Sequence, residues 1–363
     1  MNSVPDALEA GTILSDRYQV EYVLGLGGMG AVYLARDLQQ NNFPVAVKEM
    51  RVQAGDQHIQ RQAVEQFRQE AQFLSVLDHP NLVKVFDVFT QNGRYYLVMS
   101  YVQGKTLREL LKTQTEFFPL KTLLEWTVQL VDVLSYLHAQ NPPILFRDVK
   151  PSNIIVDSEN RLRLIDFGIA RTLHPDEVTA TFLQGMGSAD YCPLEQYQGV
   201  GGTDQRSDIY SLGATLYHLL TLKVPPRAGE LASENKKVPS PRMLNPSIEP
   251  ALEDMVVNMM AVYKQDRYGS MTQVRAALQK VNRNLELRQE RAAQSSVSRP
   301  RMAEGPPKAP SSKKSQSSTT YILAGLTAVM LFLMGWLITQ MSGGGAKPTP
   351  SPKVGASAHP ADK

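Results

Sequence analysis

Four polar residues in one short stretch place the strongest constraint on how this chain can fold. Residues 145–168 contain Asp148, Lys150, Asn153 and Asp166. One hairpin's length of backbone must therefore bring two carboxylates, an amide and an ammonium group together. Such a set suits a metal-bound nucleotide held beside a hydroxyl acceptor, because phosphoryl transfer needs positioning and charge neutralisation more than covalent help from the protein.

Length and composition exclude several classes of protein. The chain has 363 residues, which is enough for a two-lobed enzyme with appendages. Its net charge of +3 is too close to neutral to indicate binding of nucleic acid. Cys192 is the only cysteine, so neither an intrachain disulfide nor a cysteine-rich zinc site can form. We interpret Cys192 as a small semi-buried hydrophobic residue and not as a reactive thiol.

The spacing of apolar residues changes near residue 105. Residues 18–101 read mostly as short strands, with one helix over residues 63–77. After residue 105 the pattern is helical, and the clearest helices are predicted over residues 123–138, 208–222, 251–262 and 271–284. The sequence thus predicts an α+β fold with a small β-rich lobe followed by a larger helical lobe.

Two further motifs lie in the β-rich part. Glycines at Gly25, Gly27, Gly28 and Gly30 separate two strand-like runs. Such a cluster could be only a tight hairpin, but glycines also let backbone amides approach phosphates. No helix follows at once and no Gly-Lys-Thr ending is present, which excludes a dinucleotide-binding turn and a Walker loop.

A lysine ends the next apolar strand. Lys48 closes Val-Ala-Val-Lys, where burial is costly unless the ammonium is paired. Glu70 shares the apolar face of the predicted helix, so it either reaches to water at the boundary or turns inward to meet a cation. We regard it as the obvious partner of Lys48.

The order of these motifs resembles the signature set of protein kinases. The resemblance covers about residues 18–282, and the Gly-Gly-Met-Gly loop, the Pro-Leu-Glu-Gln-Tyr stretch and a trailing apolar segment are similar to bacterial eukaryotic-type Ser/Thr kinases. It implies a bilobal protein-kinase fold that uses ATP and Mg²⁺, with Mn²⁺ as an alternative ion, and acts on Ser/Thr hydroxyls of protein substrates. It further implies an ATP site built from Leu24, Gly25, Gly27, Gly28, Gly30, Val32, Ala46, Lys48, Glu70, Met99, Tyr101 and Val102.

The same resemblance implies the chemical roles. Asp148 would accept or orient the proton of the acceptor hydroxyl, and Lys150 would steady the γ-phosphate. Asn153 and Asp166 would hold the metal ion. It gives structural roles to Asp208, which would brace the catalytic loop, and to the ion pair of Glu195 with Arg267. The residues with regulatory roles would be Arg147, Thr179, Thr181 and Ser188. Thr179 or Thr181 is the hypothesised autophosphorylation site, whose phosphate would meet Arg147.

The chain departs from the family pattern in three places. Phe146 replaces the usual histidine before Arg147, and we interpret it as a tolerated packing change. Leu194 replaces proline in the Ala-Pro-Glu motif but keeps the carboxylate of Glu195. Ser188 stands where threonine is usual and retains the hydroxyl.

The C-terminal part predicts attachment to a membrane. Residues 321–338 contain no charge and, with their extension to residue 340, match the length of a bilayer-spanning helix. The remaining segments are an N-terminal extension, a Ser/Pro/Lys-rich linker and a short exported tail, at residues 1–17, 283–320 and 341–363. Because catalysis needs cytosolic ATP, we expect a single-pass protein of the cell membrane with a cytoplasmic kinase domain. The spacing of Ala324 and Ala328 permits two such helices to approach closely, so a homodimer is an alternative to a monomer.

Two other functions compete with an active protein kinase. A pseudokinase scaffold would bind nucleotide or partners without phosphoryl transfer, and only Phe146 and Leu194 support it. A small-molecule kinase on a related fold is opposed by Lys150 and by the segment from Ser188 to Glu195.

Overall fold

The computed structural model describes residues 7–27, 30–50, 74–166, 189–198 and 202–297. The chain divides into two compact units, Met1–Ser298 and Arg299–Lys363, and all of these residues belong to the first. Within them, no helix combines the length and the apolar character needed to span a bilayer. The predicted span at residues 321–340 lies outside the described residues, as do Gly28, Glu70, Thr179, Thr181 and Ser188.

An antiparallel sheet of six strands forms the first lobe. Its order is β1-β2-β3-β4-β6-β5. The strands are β1 (Ile13–Leu14), β2 (Tyr18–Gly27), β3 (Gly30–Asp37), β4 (Phe43–Met50), β5 (Val85–Gln91) and β6 (Arg94–Ser100). The β-rich first lobe predicted from residues 18–101 is thus present.

Side chains of β4 alternate between two apolar clusters. Val45 and Val47 pack with Tyr33 on one face, whereas Ala46 and Met50 join the larger core on the other. This alternation follows from the two-residue period of a strand. It also turns Lys48 to the same side as Ala46, the side that faces the second lobe.

A short three-stranded sheet carries the stretch that contains the four polar residues. Its strands are β7 (Gly104–Thr106), β8 (Ile154–Asp157) and β9 (Leu162–Leu164), in that order. In the β8–β9 pairing Ile154 lies opposite Leu164, and Ile165 N donates to the carbonyl of Asn153 at 2.9 Å. Because Asn153 precedes β8 and Asp166 follows β9, the hairpin brings both residues to one end.

Helices build the second lobe around a buried core. They are α1 (Leu107–Thr113), α2 (Leu120–His138), α3 (Leu194–Gln198), α4 (Gln205–Thr221), α5 (Ala228–Ser233), α6 (Pro241–Leu244), α7 (Pro250–Met259) and α8 (Met271–Val297). Helix α4 is buried along most of its length. A Cβ at Gly213 would lie 2.7 Å from Met259 Cβ, so glycine allows α4 and α7 to touch.

The last helix runs further than the sequence predicts. Helix α8 continues to Val297, past the expected end at residue 284 and through the first part of the expected linker. Val281 is fully buried and Leu285 packs against the core, so the apolar stripe continues beyond residue 282. The predicted end of this helix at residue 284 gave too little weight to the stripe.

Candidate active site

A cleft of about 510 Å³ lies where the six-stranded sheet meets the β8–β9 hairpin. Its walls are mostly apolar and include Leu24, Val32, Ala46, Met99, Tyr101, Val102, Ile155 and Ile165. Lys48, Asn153 and Asp166 add polar groups at one end. A mainly apolar slot with a few convergent polar groups is the usual form of a small-molecule site. The described residues predicted to line an ATP site all lie along this cleft.

Lys48 and Asp166 meet across the cleft. Lys48 Nζ donates to Asp166 Oδ1, although the two residues are 118 positions apart in sequence. The Lys48 side chain is 11% exposed, so the carboxylate offsets the cost of burying an ammonium group. Among the described residues Asp166 is therefore the partner of Lys48, while the predicted partner Glu70 lies outside them.

The catalytic loop gathers the remaining polar groups around one carboxylate. Lys150 Nζ lies 2.8 Å from Asp148 Oδ2, and Asn153 Nδ2 donates to the same oxygen at 2.8 Å. Asn153 Nδ2 also bonds the carbonyl of Asp148 at 3.0 Å. These contacts hold Asp148 in one orientation through two charge-assisted bonds.

Asp208 supports this loop through hydrogen bonds to its main-chain amides. Its carboxylate accepts hydrogen bonds from Phe146 N at 2.9 Å and from Arg147 N at 2.7 Å. Asp208 is fully buried at the start of α4, so it fixes the loop to the most buried helix of the second lobe. His138, at the end of α2, reaches the same carboxylate at 2.8 Å.

Thr215 and His138 are supporting residues that the motifs do not reveal. Thr215 Oγ1 donates to the carbonyl of Val149 at 3.2 Å, which ties the loop to a second point on α4. Thr215 lies 66 residues after Val149, and His138 lies 70 residues before Asp208, so neither contact is visible in a local motif. Thr215 lies seven residues after Asp208, two helical turns along the same face, and this spacing is the one signal that could have identified it.

A buried ion pair joins α3 to the end of the second lobe. Arg267 donates to both carboxylate oxygens of Glu195, at 2.8 and 3.2 Å, and the two side chains are 0% and 7% exposed. Burial alone would raise the pKa of Glu195, but the guanidinium of Arg267 and the hydroxyl of Ser207 outweigh it and hold the pKa below its usual value. The carboxylate is therefore ionised at neutral pH. Arg267 also stacks over Tyr210, with its guanidinium carbon 4.8 Å from the ring centroid.

Backbone geometry requires glycine at one position of the loop that covers the cleft. Gly30 has φ +144°, and a Cβ there would lie 2.0 Å from the carbonyl oxygen of Glu49. Gly30 pairs with Gly27 at the turn of the β2–β3 hairpin. A side chain at this position would push the hairpin away from β4 and so from Lys48.

Asn153 and Asp166 fit a magnesium ion bound together with phosphates. Both side chains line the cleft, at the same end of the β8–β9 hairpin, and present an amide and a carboxylate oxygen. Asp166 also has a positive φ of 67°, a strained conformation that is often found at functional sites. The described residues contain no cluster of three or more His, Cys, Asp or Glu side chains suited to a metal. Mg²⁺ commonly takes one or two protein ligands and completes its shell with waters and substrate phosphates.

Comparison with known proteins agrees with this arrangement. The family model for the protein kinase domain matches residues 18–279. The chain is 36% identical over 263 residues to the serine/threonine-protein kinase PrkC of Bacillus subtilis, covering 71% of this chain and 39% of that protein. It is 37% identical over 284 residues to the serine/threonine-protein kinase PknB of Mycolicibacterium smegmatis, covering 74% and 43% respectively. The chain thus spans about two fifths of the length of these relatives.

Solved structures share the fold. The apo form of PpkA-294 superposes with a TM-score of 0.63 at 25% identity, over 75% of this chain and 99% of that one. The PknI kinase domain of Mycobacterium tuberculosis superposes with a TM-score of 0.60 at 24% identity, over 76% and 99%. The second likeness concerns the fold alone.

Proposed function

This chain belongs to the protein kinase domain family, and from that premise we propose that it transfers the γ-phosphate of ATP to Ser/Thr hydroxyls of protein substrates. One observation carries the proposal. Asp148 with its partners Lys150 and Asn153 lies at the same end of the β8–β9 hairpin as Asp166, and Lys48 of β4 meets Asp166 there, beside an apolar slot of nucleotide size. No described position of the catalytic set lacks its expected side chain, and nothing favours a scaffold without activity.

Each side chain has a task that its contacts explain. Lys48 places its ammonium group at the polar end of the slot, where it neutralises phosphate charge. Asp148, held by Lys150 and Asn153, receives the proton of the attacking hydroxyl. Lys150 then offers its charge to the transferring phosphoryl group. A Mg²⁺ ion held by Asn153 and Asp166 would neutralise the charge that develops between the β- and γ-phosphates.

We also propose a regulatory site and a membrane anchor. Autophosphorylation at Thr179 or Thr181 would supply an anion for Arg147, which immediately precedes Asp148 in the catalytic loop. Support for the anchor comes from the uncharged run at residues 321–338. The protein would then cross the cell membrane once, with the kinase domain in the cytoplasm and residues 341–363 outside. Phosphate mapping after incubation with ATP tests the first proposal, and protease protection of an epitope at the C-terminus in spheroplasts tests the second.

Radiolabelled ATP tests the activity. The full chain in detergent should label itself and a generic protein acceptor in the presence of Mg²⁺, on serine or threonine. Lys48→Met and Asp166→Asn should remove the label, whereas Lys121→Met, at an 89% exposed side chain away from the cleft, should keep it. Equal labelling by the wild type and both cleft variants would refute the proposal, because the signal would then come from another enzyme.

A further inference from the structure

A second cavity, of about 240 Å³, opens beside the catalytic loop. Helix α1 contributes Arg108 and Lys112, and the short turn at residues 189–191 contributes Asp190 and Tyr191. Ser152 lines both this cavity and the main cleft. The two spaces therefore share a wall, and we call the second one the α1 groove.

Two exposed cations stand on one side of the α1 groove. Arg108 and Lys112 are four residues apart in α1, so they lie on the same face of the helix. Neither side chain forms an ion pair with any other residue that the structure describes. Glu109 lies near Lys112, but its carboxylate accepts hydrogen bonds from Thr106 N at 2.7 Å and from the Thr106 hydroxyl at 2.9 Å in the capping box of α1.

The acidic group of the groove is already neutralised. Arg227 Nε donates to Asp190 Oδ1 at 2.7 Å, so this carboxylate has a cation of its own. Among the described residues, Asp190 is therefore not the ion-pair partner of Arg108 or Lys112.

His218 and Tyr191 add no charge to the groove. Burial lowers the pKa of His218 to about 4, so its ring is neutral at pH 7. The Tyr191 hydroxyl lies 2.6 Å from His218 Nδ1, and burial raises the pKa of Tyr191, which keeps the phenol protonated. A third cation, Lys150, also lines the groove, but it is paired with Asp148 at 2.8 Å. Among the described lining residues, the net positive charge therefore comes from Arg108 and Lys112 of α1.

We propose that Arg108 and Lys112 select protein substrates that carry an acidic side chain close to the acceptor Ser or Thr. Asp, Glu and a phosphorylated residue share the required chemistry, which is an anion in reach of a guanidinium and an ammonium group. Because an extended peptide covers about 3.3 Å per residue, an anion within four residues of the acceptor lies within about 13 Å of it. The inference rests on the proposed kinase activity, because it names the class of substrate for that reaction.

Peptide kinetics on the full chain test the inference. A Thr-containing peptide is varied one position at a time, over four residues on each side, with Ala, Glu, Lys and phosphoserine. At one or more of these positions we expect Glu to raise kcat/KM about tenfold over Ala, mainly through a lower KM, and Lys to lower it. A larger gain with phosphoserine than with Glu would assign the site to previously phosphorylated substrates, and an equal gain would assign it to acidic sequences.

Charge reversal locates the selecting residues. Arg108→Glu/Lys112→Glu should remove the gain from Glu and give one to Lys at the same position. Arg108→Lys should retain most of the wild-type preference, because the positive charge remains. The matched control Lys237→Glu/Lys280→Glu changes the net charge by the same amount at two exposed lysines outside the groove, and should keep the wild-type pattern.

Salt provides a second measurement that needs no variant. Surface charge attraction is screened over about 10 Å at 0.1 M salt and about 3 Å at 1 M. The ratio of kcat/KM for the Glu and Ala peptides should therefore fall towards one as NaCl is raised.

The outcomes separate the inference from the proposed function. Transfer to all peptides with equal kcat/KM, or an acidic preference that survives the charge reversal, would overturn the inference and leave the kinase activity intact. Absence of both peptide phosphorylation and autophosphorylation would overturn the proposed function, and the inference with it.

Discussion

Loss of the buried arginine that joins α3 to the second lobe should strongly destabilise the kinase domain. Arg267→Met removes two hydrogen bonds to Glu195 and leaves that carboxylate buried without its cation. Arg267 also donates to the carbonyls of Ala261 and Val262, at 2.7 and 2.8 Å, so their hydrogen bonds are lost as well.

The size of the effect follows from burial. Removing one partner of a buried ion pair costs about 3–5 kcal/mol, because an uncompensated charge stays in the interior. For a domain of this size, each kcal/mol lowers Tm by about 2–4 °C, so the expected fall is roughly 6–20 °C. Ser207 Oγ still donates to Glu195 at 2.8 Å, which favours the lower half of this range.

An exposed pair in the same lobe provides the control. Arg275 contacts Asp132 with side chains that are 40% and 38% exposed. Because such pairs contribute about 0–1 kcal/mol, Arg275→Met should shift Tm by only a few degrees. Thermal unfolding followed by circular dichroism compares the two variants directly.

A double variant tests the physical reason itself. If the cost of Arg267→Met comes from the stranded carboxylate, then Glu195→Leu in the same chain should restore part of the lost stability. The reasoning would be refuted if Arg267→Met matched Arg275→Met, or if the double variant were less stable than Arg267→Met alone.

Three further changes have defined outcomes. Gly30→Ala should lower the free energy of unfolding by more than about 1 kcal/mol, because its Cβ would collide with the Glu49 carbonyl. The control is Gly25→Ala, whose Cβ would meet no atom within 4 Å, and chemical denaturation compares the two variants. Asp208→Asn should lower kcat more than it raises KM for ATP, because the Asp208 carboxylate binds two backbone amides of the catalytic loop. A larger effect on KM than on kcat would contradict this explanation. The hydrogen bond from the Arg206 side chain lowers the pKa of Asp204 to about 2. The stabilising contribution of the ionised carboxylate is therefore complete above about pH 4 and is lost as the pH falls towards 2. Asp204→Asn should weaken the pH dependence of the free energy of unfolding between these pH values, as measured by denaturant titration.

Pairing within a short hairpin is easier to predict from sequence than the end of a helix. The chemistry of the stretch at residues 145–168 depends on one hairpin, and register within a hairpin is fixed locally by alternation and by the turn. Asn153 and Asp166 could therefore be placed together without knowledge of the rest of the fold. Helix α8 shows the opposite case. It continues past residue 284 with Val281 and Leu285 packed against residues distant in sequence, so the predicted end depended on how much weight the apolar stripe received.

Contacts over long sequence separations were the least predictable part of the site. His138 reaches Asp208 across 70 residues, and Thr215 bonds Val149 across 66. Neither is marked by a local motif, because each depends on how α2 and α4 pack. The α1 groove escaped prediction for the same reason, since its walls come from four separate segments of the chain.

The unusual Phe146 can be understood from the same contacts. The backbone amide of Phe146 donates a hydrogen bond to Asp208 at 2.9 Å. This bond does not depend on which side chain occupies position 146. The ring itself is fully buried in the main core, where an apolar side chain is stabilising and an imidazole would need a hydrogen-bond partner. The remaining contact of the Asp208 carboxylate is made by His138, from the end of α2. The bonds that the structure describes around Asp148 come from Lys150 and Asn153, and the loop is held by backbone amides, so none of them needs a histidine side chain at position 146. The residue that first suggested an inactive scaffold is therefore compatible with these contacts.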